Sequence, residues 1–179
     1  MIEIYQAAKE LVSILDKTAD ATLPNEIVDV VKLHAKLAVG SAWIPVPGAD
    51  VAAGAANIWG MYARINGKID IPLKENILKS IGAGVATNLT GYIAMSGVAS
   101  ALKFIPVIGS IGGAVVMSAS LYAVTLVSGW VYLKALCIAA KRDGGHINPS
   151  DFKVAIDEVL SNKGLIKNLI KIAKNDYSD

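Results

Sequence analysis

The chain has 179 residues, of which 54% are hydrophobic and 18% are charged, and its formal net charge is +2. Soluble domains average roughly 45–50% apolar and about 25% charged residues, so this chain is either unusually buried or in contact with lipid. The small net charge and the lack of an aromatic and basic stripe argue against nucleic acid as a partner. The single cysteine, Cys137, excludes an internal disulfide, and the charged N-terminal segment does not resemble a signal peptide.

Hydrophobic residues recur at helical spacing along the chain, and no segment shows the alternating pattern of a strand. The sequence therefore predicts an all-α fold with a single helical domain over residues 1–179. Amphipathic helices are expected over 2–43, a hairpin core over 44–142 and further amphipathic helices over 148–175. The predicted helices, about seven in number, cover residues 2–17, 24–43, 49–65, 70–102, 110–142, 148–161 and 163–174.

Capping and helix-breaking residues set these boundaries. Asn148 followed by Pro149 predicts a helix start, because asparagine caps free amide groups and proline fits the first helical position. Asn66 and Gly67 predict the end of the third helix, and the Gly144-Gly145 pair predicts the end of the fifth.

Two short segments repeat the same proline corner between helices. Ile44-Pro45-Val46-Pro47-Gly48 and Ile105-Pro106-Val107-Ile108-Gly109 each follow one predicted helix and open the next. Proline lacks an amide proton and moves the preceding residue out of the helical region, so both segments break a helix. The match favours an internal duplication of a helical hairpin, although any apolar hairpin can use proline and glycine at its tip. The predicted corner residues are Ile44, Pro45, Pro47, Gly48, Ile105, Pro106 and Gly109.

The stretch Gly40-Ser41-Ala42-Trp43-Ile44-Pro45-Val46-Pro47-Gly48-Ala49-Asp50, followed by Trp59, Met61 and Tyr62, resembles a bacterial helical domain of unknown function. That domain is found in YcjF-type inner-membrane proteins and is fused to Era-like or dynamin-like GTPases. The corner at 105–109 is similar to the second proline–glycine corner of the family, and the resemblance covers about residues 35–135. It implies a membrane-associated or GTPase-partnered role, and it carries no catalytic residues over to this chain.

Two segments without any charge, Ser80 to Leu102 and Phe104 to Leu133, make up the central predicted hairpin. About 20 helical residues cross the hydrocarbon core of a bilayer, so each segment is long enough to span it. Lys103 lies at the hairpin tip and lysines flank the open end, which places both termini on the cytoplasmic side. The polar residues of the first segment support two alternatives. One is a soluble bundle that buries the hairpin, and the other is a soluble bundle that releases it as a pore-forming element.

Four polar residues are predicted to be buried: His34, Asp50, Asn57 and Asn88. His34 lies on the apolar stripe of its helix, where a hydrogen-bonded core histidine is expected rather than a zinc ligand. Asp50 either complements the dipole of its helix or is the buried partner of a cation, such as Arg64 or a lysine. The two asparagines are expected to form hydrogen bonds between helices.

The last predicted helix has a basic face opposite its apolar stripe. Such a face attracts anionic lipid headgroups at about 1 kcal/mol per lysine, or else it is an ordinary solvated surface. Its members are Lys163, Lys167, Lys171 and Lys174.

No catalytic, metal or cofactor site is recognisable in the sequence, so we expect a non-enzymatic protein without a cofactor. The leading hypothesis is a bacterial membrane-associated helical-hairpin protein on the cytoplasmic side of the inner membrane. Its expected partners are the lipid bilayer or membrane surface, a second copy of itself and a membrane-acting GTPase. The alternative is a cytoplasmic, oligomeric helical interaction module.

Overall fold

The computed structural model describes residues 25–41, 49–69, 73–95, 111–142 and 147–178. Within these ranges the chain forms six α-helices and no strand, which confirms the predicted all-α class. The helices in chain order are α1 Asn25–Ser41, α2 Ala49–Ile69, α3 Glu75–Met95, α4 Ile111–Arg142, α5 Pro149–Ser161 and α6 Lys163–Ser178.

Helix α4 lies at the centre of the bundle and contacts each of the other five helices. Every residue from 122 to 133 is buried. A surface helix buries only one stripe, so burial over more than three consecutive turns requires neighbours on all sides. The second of the two uncharged segments therefore contributes its described part to the core of the bundle.

Helices α5 and α6 cover one side of α4 with amphipathic faces. The start of α5 is confirmed, because the Asn148 side chain accepts a hydrogen bond from the Ser150 amide at 3.0 Å and Pro149 occupies the first turn. The buried residues of the two helices repeat every three or four positions: Phe152, Ala155, Ile156, Val159, Leu160, Ile166, Leu169, Ile170 and Ala173.

Helix α1 packs on α4 and α2 through most of its apolar stripe. Val30, Val31 and Ala35 are buried, as the hydrophobic period requires. Leu37 has the helical spacing of the same stripe, but it is 53% exposed, and Leu33, one turn before it, is 44% exposed. The spacing of hydrophobic residues alone does not fix which side of a helix meets its neighbours. In α1 the buried face includes Ala35 and leaves out Leu37.

Glycine allows the closest helix crossings. A Cβ atom at Gly129 of α4 would lie 2.6 Å from Cγ1 of Val31, so α1 packs almost directly on the backbone of α4. A Cβ atom at Gly82 of α3 would lie 3.5 Å from the Trp59 backbone of α2, which is ordinary contact distance. The first of these crossings leaves no room for a side chain larger than hydrogen.

The predicted end of the third helix at Asn66 and Gly67 is wrong, because α2 continues through both residues to Ile69. Asn66 is buried and its Oδ1 accepts a hydrogen bond from the Tyr132 hydroxyl. The side-chain oxygen thus has a partner on another helix, whereas Asn66 Nδ2 is buried without a hydrogen-bond partner in the described part of the chain. With its oxygen bound to Tyr132, this asparagine does not end the helix by bonding its own backbone.

Some predictions lie outside the described residues. They include the helix at 2–17, both proline corners and the continuation of the fourth predicted helix from 96 to 102. The count of about seven helices and the duplication of the hairpin therefore stay predictions.

Candidate functional sites: buried polar contacts and a basic helix face

His34 and Asn57 form a reciprocal pair between α1 and α2. Asn57 Nδ2 donates to the backbone carbonyl of His34 at 2.8 Å, and a carbonyl can only accept, so the amide orientation is fixed. Asn57 Oδ1 therefore faces His34 Nδ1 at 2.9 Å, and Nδ1 must carry the proton. This arrangement leaves His34 Nε2 as a buried lone pair, without a hydrogen-bond partner in the described part of the chain.

The surroundings of His34 favour its neutral form. Burial lowers the pKa of His34 below its ordinary value, and the positive charge of Arg64 lowers it further. The hydrogen bond with Asn57 opposes this shift, since it also stabilises the protonated ring. The pair therefore joins two helices at neutral pH, whereas burial and the Arg64 charge disfavour protonation of His34 as the solution becomes acidic.

A second buried polar cluster joins α2 to α4. The Tyr62 hydroxyl donates to the Ser128 carbonyl at 3.1 Å, and the Tyr132 hydroxyl donates to Asn66 Oδ1 at 2.6 Å. The two tyrosine rings stack with centroids 4.0 Å apart, and the Phe152 ring of α5 meets Tyr132 edge-on at 5.1 Å. Both hydrogen bonds join residues that are 66 positions apart, so α2 and α4 run in the same direction.

This cluster orients helices and is unsuited to proton transfer. Burial raises the pKa of both Tyr62 and Tyr132 above the ordinary value, and the hydrogen bonds to Ser128 and Asn66 offset only part of the shift. Neither phenol ionises near neutral pH. Among the described residues, no group of three or more histidine, cysteine, aspartate or glutamate side chains lies close enough to hold a metal ion.

The basic face of α6 consists of exposed lysines beside the buried stripe. Lys163, Lys167 and Lys171 are exposed and recur every four residues, so they lie along one line of the helix. Across the described ranges, no ion pair involves any of the three. No acidic residue occurs between 161 and 171, so this stretch of α6 contributes only positive charges.

The structure brings together only some of the polar residues that were predicted to be buried. His34 and Asn57 are brought together, whereas the prediction of a buried, interhelical Asn88 is wrong. Asn88 is exposed and its Nδ2 donates to the Gly84 carbonyl of its own helix at 3.4 Å, because no described helix covers that side of α3. Asp50 lies in the first turn of α2 and Lys174 lies in α6, but their side chains are outside the described part. The corner residues Ile44, Pro45, Pro47, Gly48, Ile105, Pro106 and Gly109 also lie outside it.

Sequence reasoning missed the tyrosine cluster. A signal for it exists, because Tyr62 and Asn66 in α2 share the four-residue spacing of Ser128 and Tyr132 in α4. When each of two packed helices carries two polar side chains one turn apart, the side chains can form two contacts between the helices, one above the other. Asn66 was instead interpreted as part of a helix stop.

One described helical segment, Ser118–Arg142 in α4, is long and apolar enough to cross a membrane, and most of it is buried against other helices. Comparison with protein family models, with curated proteins and with solved structures finds no match to this chain.

Proposed function

We propose that this protein is a non-enzymatic helical bundle that attaches to anionic membrane surfaces on the cytoplasmic side through the basic face of α6. The observation that carries the proposal is the line of three exposed lysines that form no ion pair with any other described residue, Lys163, Lys167 and Lys171. The apolar stripe behind them packs on α4 and holds the line rigidly at the bundle surface.

The charge on this face supports weak and reversible attachment. Each lysine near an anionic leaflet contributes about 1 kcal/mol. Three lysines together contribute about 3 kcal/mol, which corresponds to a preference of roughly 100-fold for the anionic surface. Screening over a Debye length of about 8 Å at physiological salt limits the attraction to close contact, so higher salt should release the protein.

Packing in the bundle favours surface attachment over insertion of the 80–133 hairpin. Lipid chains are as apolar as a protein core, so moving α4 into the bilayer brings little gain for its own side chains. The five helices around α4 would lose the partner of their apolar faces, and each large side chain exposed in this way costs about 1.5–3 kcal/mol. The resemblance over residues 35–135 adds a membrane-acting GTPase as a proposed partner at that surface.

Vesicle sedimentation tests the proposal with the full chain. Wild-type protein should co-sediment with vesicles that contain about one-third phosphatidylserine, but not with pure phosphatidylcholine vesicles. Replacing Lys167 and Lys171 by glutamine removes about 2 kcal/mol and should reduce partitioning about 30-fold. The matched control replaces Lys36 and Lys153, which are exposed lysines on α1 and α5, and should bind as wild type does.

Two results would contradict surface attachment by α6. The first is equal binding of both double variants, which would make the attraction a property of net charge. The second is retention of the cellular protein in membranes after an alkaline wash, which would instead support an inserted hairpin. Release by the wash together with selective loss in the α6 variant supports the proposal.

A further inference from the structure

The interface between α1 and α2 contains a buried base whose second nitrogen has no partner. His34 is 5% exposed, and a Cβ atom at Gly60 of α2 would lie 3.4 Å from His34 Cε1, so the ring packs against the backbone of α2. His34 Nδ1 already donates to Asn57 Oδ1 at 2.9 Å, so a further proton can be added only at Nε2. Nε2 has no hydrogen-bond partner in the described part of the chain, so the added N–H would lack an acceptor in this arrangement.

We propose that the His34–Asn57 pair is a pH-sensitive latch, and that protonation of His34 at Nε2 opens the interface between α1 and α2 while α4, α5 and α6 stay packed. A buried cation without an acceptor costs free energy, and opening the interface removes this cost because water then reaches the ring. The proton therefore binds the open form more tightly than the closed form. A ligand that binds one form better shifts the equilibrium toward that form.

The ionisable groups around His34 do not offset a charge on the ring. Besides the burial of the ring, the positive charge of Arg64 on α2 lowers the pKa of His34, and no described carboxylate is bonded to the ring. Helix α4, which also packs on α1, has no charged residue from 111 to 133. The remaining ionisable residues of this stretch of α4 and of the described part of α1 are phenols or at least partly exposed side chains: Tyr122, Tyr132, Glu26, Asp29, Lys32 and Lys36.

Helix α1 is suited to open without the rest of the bundle. Leu33 and Leu37 are about half exposed, so two of its large apolar side chains contribute little to packing. The ion pair between Lys68 and Glu26 also joins α1 to α2, but both side chains are exposed, and such a pair contributes little. Elements with few buried apolar contacts open at a lower free energy than the whole domain unfolds.

The ion pair does not respond in the pH range in which the histidine does. The hydrogen bond with Lys68 and the charge of Lys68 lower the pKa of Glu26, so this carboxylate stays ionised at pH 5.5. A histidine changes its charge near pH 6.5 when it is exposed to water. Mild acid therefore acts on the His34–Asn57 pair and leaves the ion pair intact.

Native-state hydrogen exchange of the full chain tests whether α1 opens by itself. A released helix of 17 residues is marginal in water, so its amides exchange when α1 opens. Protection of residues 25–41 should be lower than that of α5 and α6, and about 1 M urea should leave it unchanged because the opening exposes little surface. No membrane is present in this experiment, so its outcome is independent of the attachment by α6.

The pH dependence of this exchange tests the histidine. From pH 7.5 to pH 5.5 the protection factors of α1 should fall by up to about 10-fold, since the open form binds a proton with the ordinary pKa of about 6.5. The neutral variant His34→Gln should remove the fall, and Arg64→Gln should reduce it because the closed form then tolerates the charge better. The chain has two histidines, so His146→Gln is the matched control and should behave as the wild type does.

Three results would overturn the latch. Protection of α1 that equals that of α5 and α6, with the same urea dependence, would mean that α1 opens only when the whole bundle unfolds. A fall in protection that persists in His34→Gln would assign the response to another group. In the unaltered chain, NMR should show the His34 ring titrating below its ordinary pKa, and titration at or above about 6.5 would mean that the proton does not favour the open form.

Discussion

Gly129 lies where α4 crosses α1, and replacing it by alanine should destabilise the bundle. A Cβ atom at this position would lie 2.6 Å and 2.9 Å from the two γ-methyl carbons of Val31, and 3.1 Å from Sδ of Met61. Val31 is buried and β-branched, so its methyl groups can move only if the side chain leaves its rotamer or α1 shifts. Overpacking costs about 1–3 kcal/mol, and two clashing methyl groups place this site in the upper half of that range. Alanine recovers about 1 kcal/mol through its helix propensity, so the net loss in the free energy of unfolding should be about 1–2 kcal/mol.

Gly84→Ala provides the matched control. Gly84 is exposed in α3, and apart from the adjacent backbone of its own helix no atom lies within 4 Å of the place that an alanine methyl carbon would take. This variant should therefore gain about 1 kcal/mol from helix propensity alone. Urea denaturation followed by far-ultraviolet circular dichroism measures both changes. In addition, Val31→Ala should cost less in the Gly129→Ala background than in the wild-type chain, because it removes the clashing methyl groups. Equal stability of the Gly129→Ala and Gly84→Ala variants would refute the close crossing of α1 and α4.

Two further predictions concern the buried polar contacts. Tyr132→Phe should lower the free energy of unfolding by about 1–3 kcal/mol, because it leaves the buried Asn66 oxygen without its donor. Tyr62→Phe should show a smaller loss in the same urea denaturation, because its acceptor is a helix carbonyl. Burial lowers the pKa of His34 in the folded chain, so the unfolded chain binds more protons below about pH 6.5 than the folded chain does. The free energy of unfolding should therefore be fully present above about pH 6.5 and should decline as the pH falls below that value. Urea denaturation at pH 7.5 and at about pH 5.5 should show a smaller pH dependence in His34→Gln, and an unchanged dependence would contradict a buried neutral histidine.

The helices themselves could be predicted from local sequence signals. Asn148 and Pro149 define the start of α5 through a cap and a fixed backbone angle, which act within one turn. Arg142 ends α4 just before the Gly144-Gly145 pair, as the sequence indicated. The basic face of α6 and its buried stripe also follow from the period of one helix, because both depend only on residue type and spacing.

Contacts between helices could not be predicted in the same way. The Asn66 side chain is part of a continuous helix because Tyr132, 66 positions away, supplies its hydrogen bond. Asn88 has the same side chain in a similar apolar setting, yet it is exposed because no described helix lies on that side of α3. Likewise, Leu37 has the helical spacing of the buried residues of α1, yet it is 53% exposed.

The sequence by itself determined the helical class, most helix positions and the existence of two charge-free segments long enough to cross a bilayer, of which the second lies largely in α4. Only the tertiary structure decided what surrounds that helix, which polar residues meet and which leucines stay exposed. The physical reason is that helix formation depends on hydrogen bonds and capping within a few residues, whereas burial depends on which distant faces fit together. An uncharged helix forms its backbone hydrogen bonds internally, so it is equally compatible with lipid and with a protein core. Which of the two surrounds it can be read only from the tertiary structure.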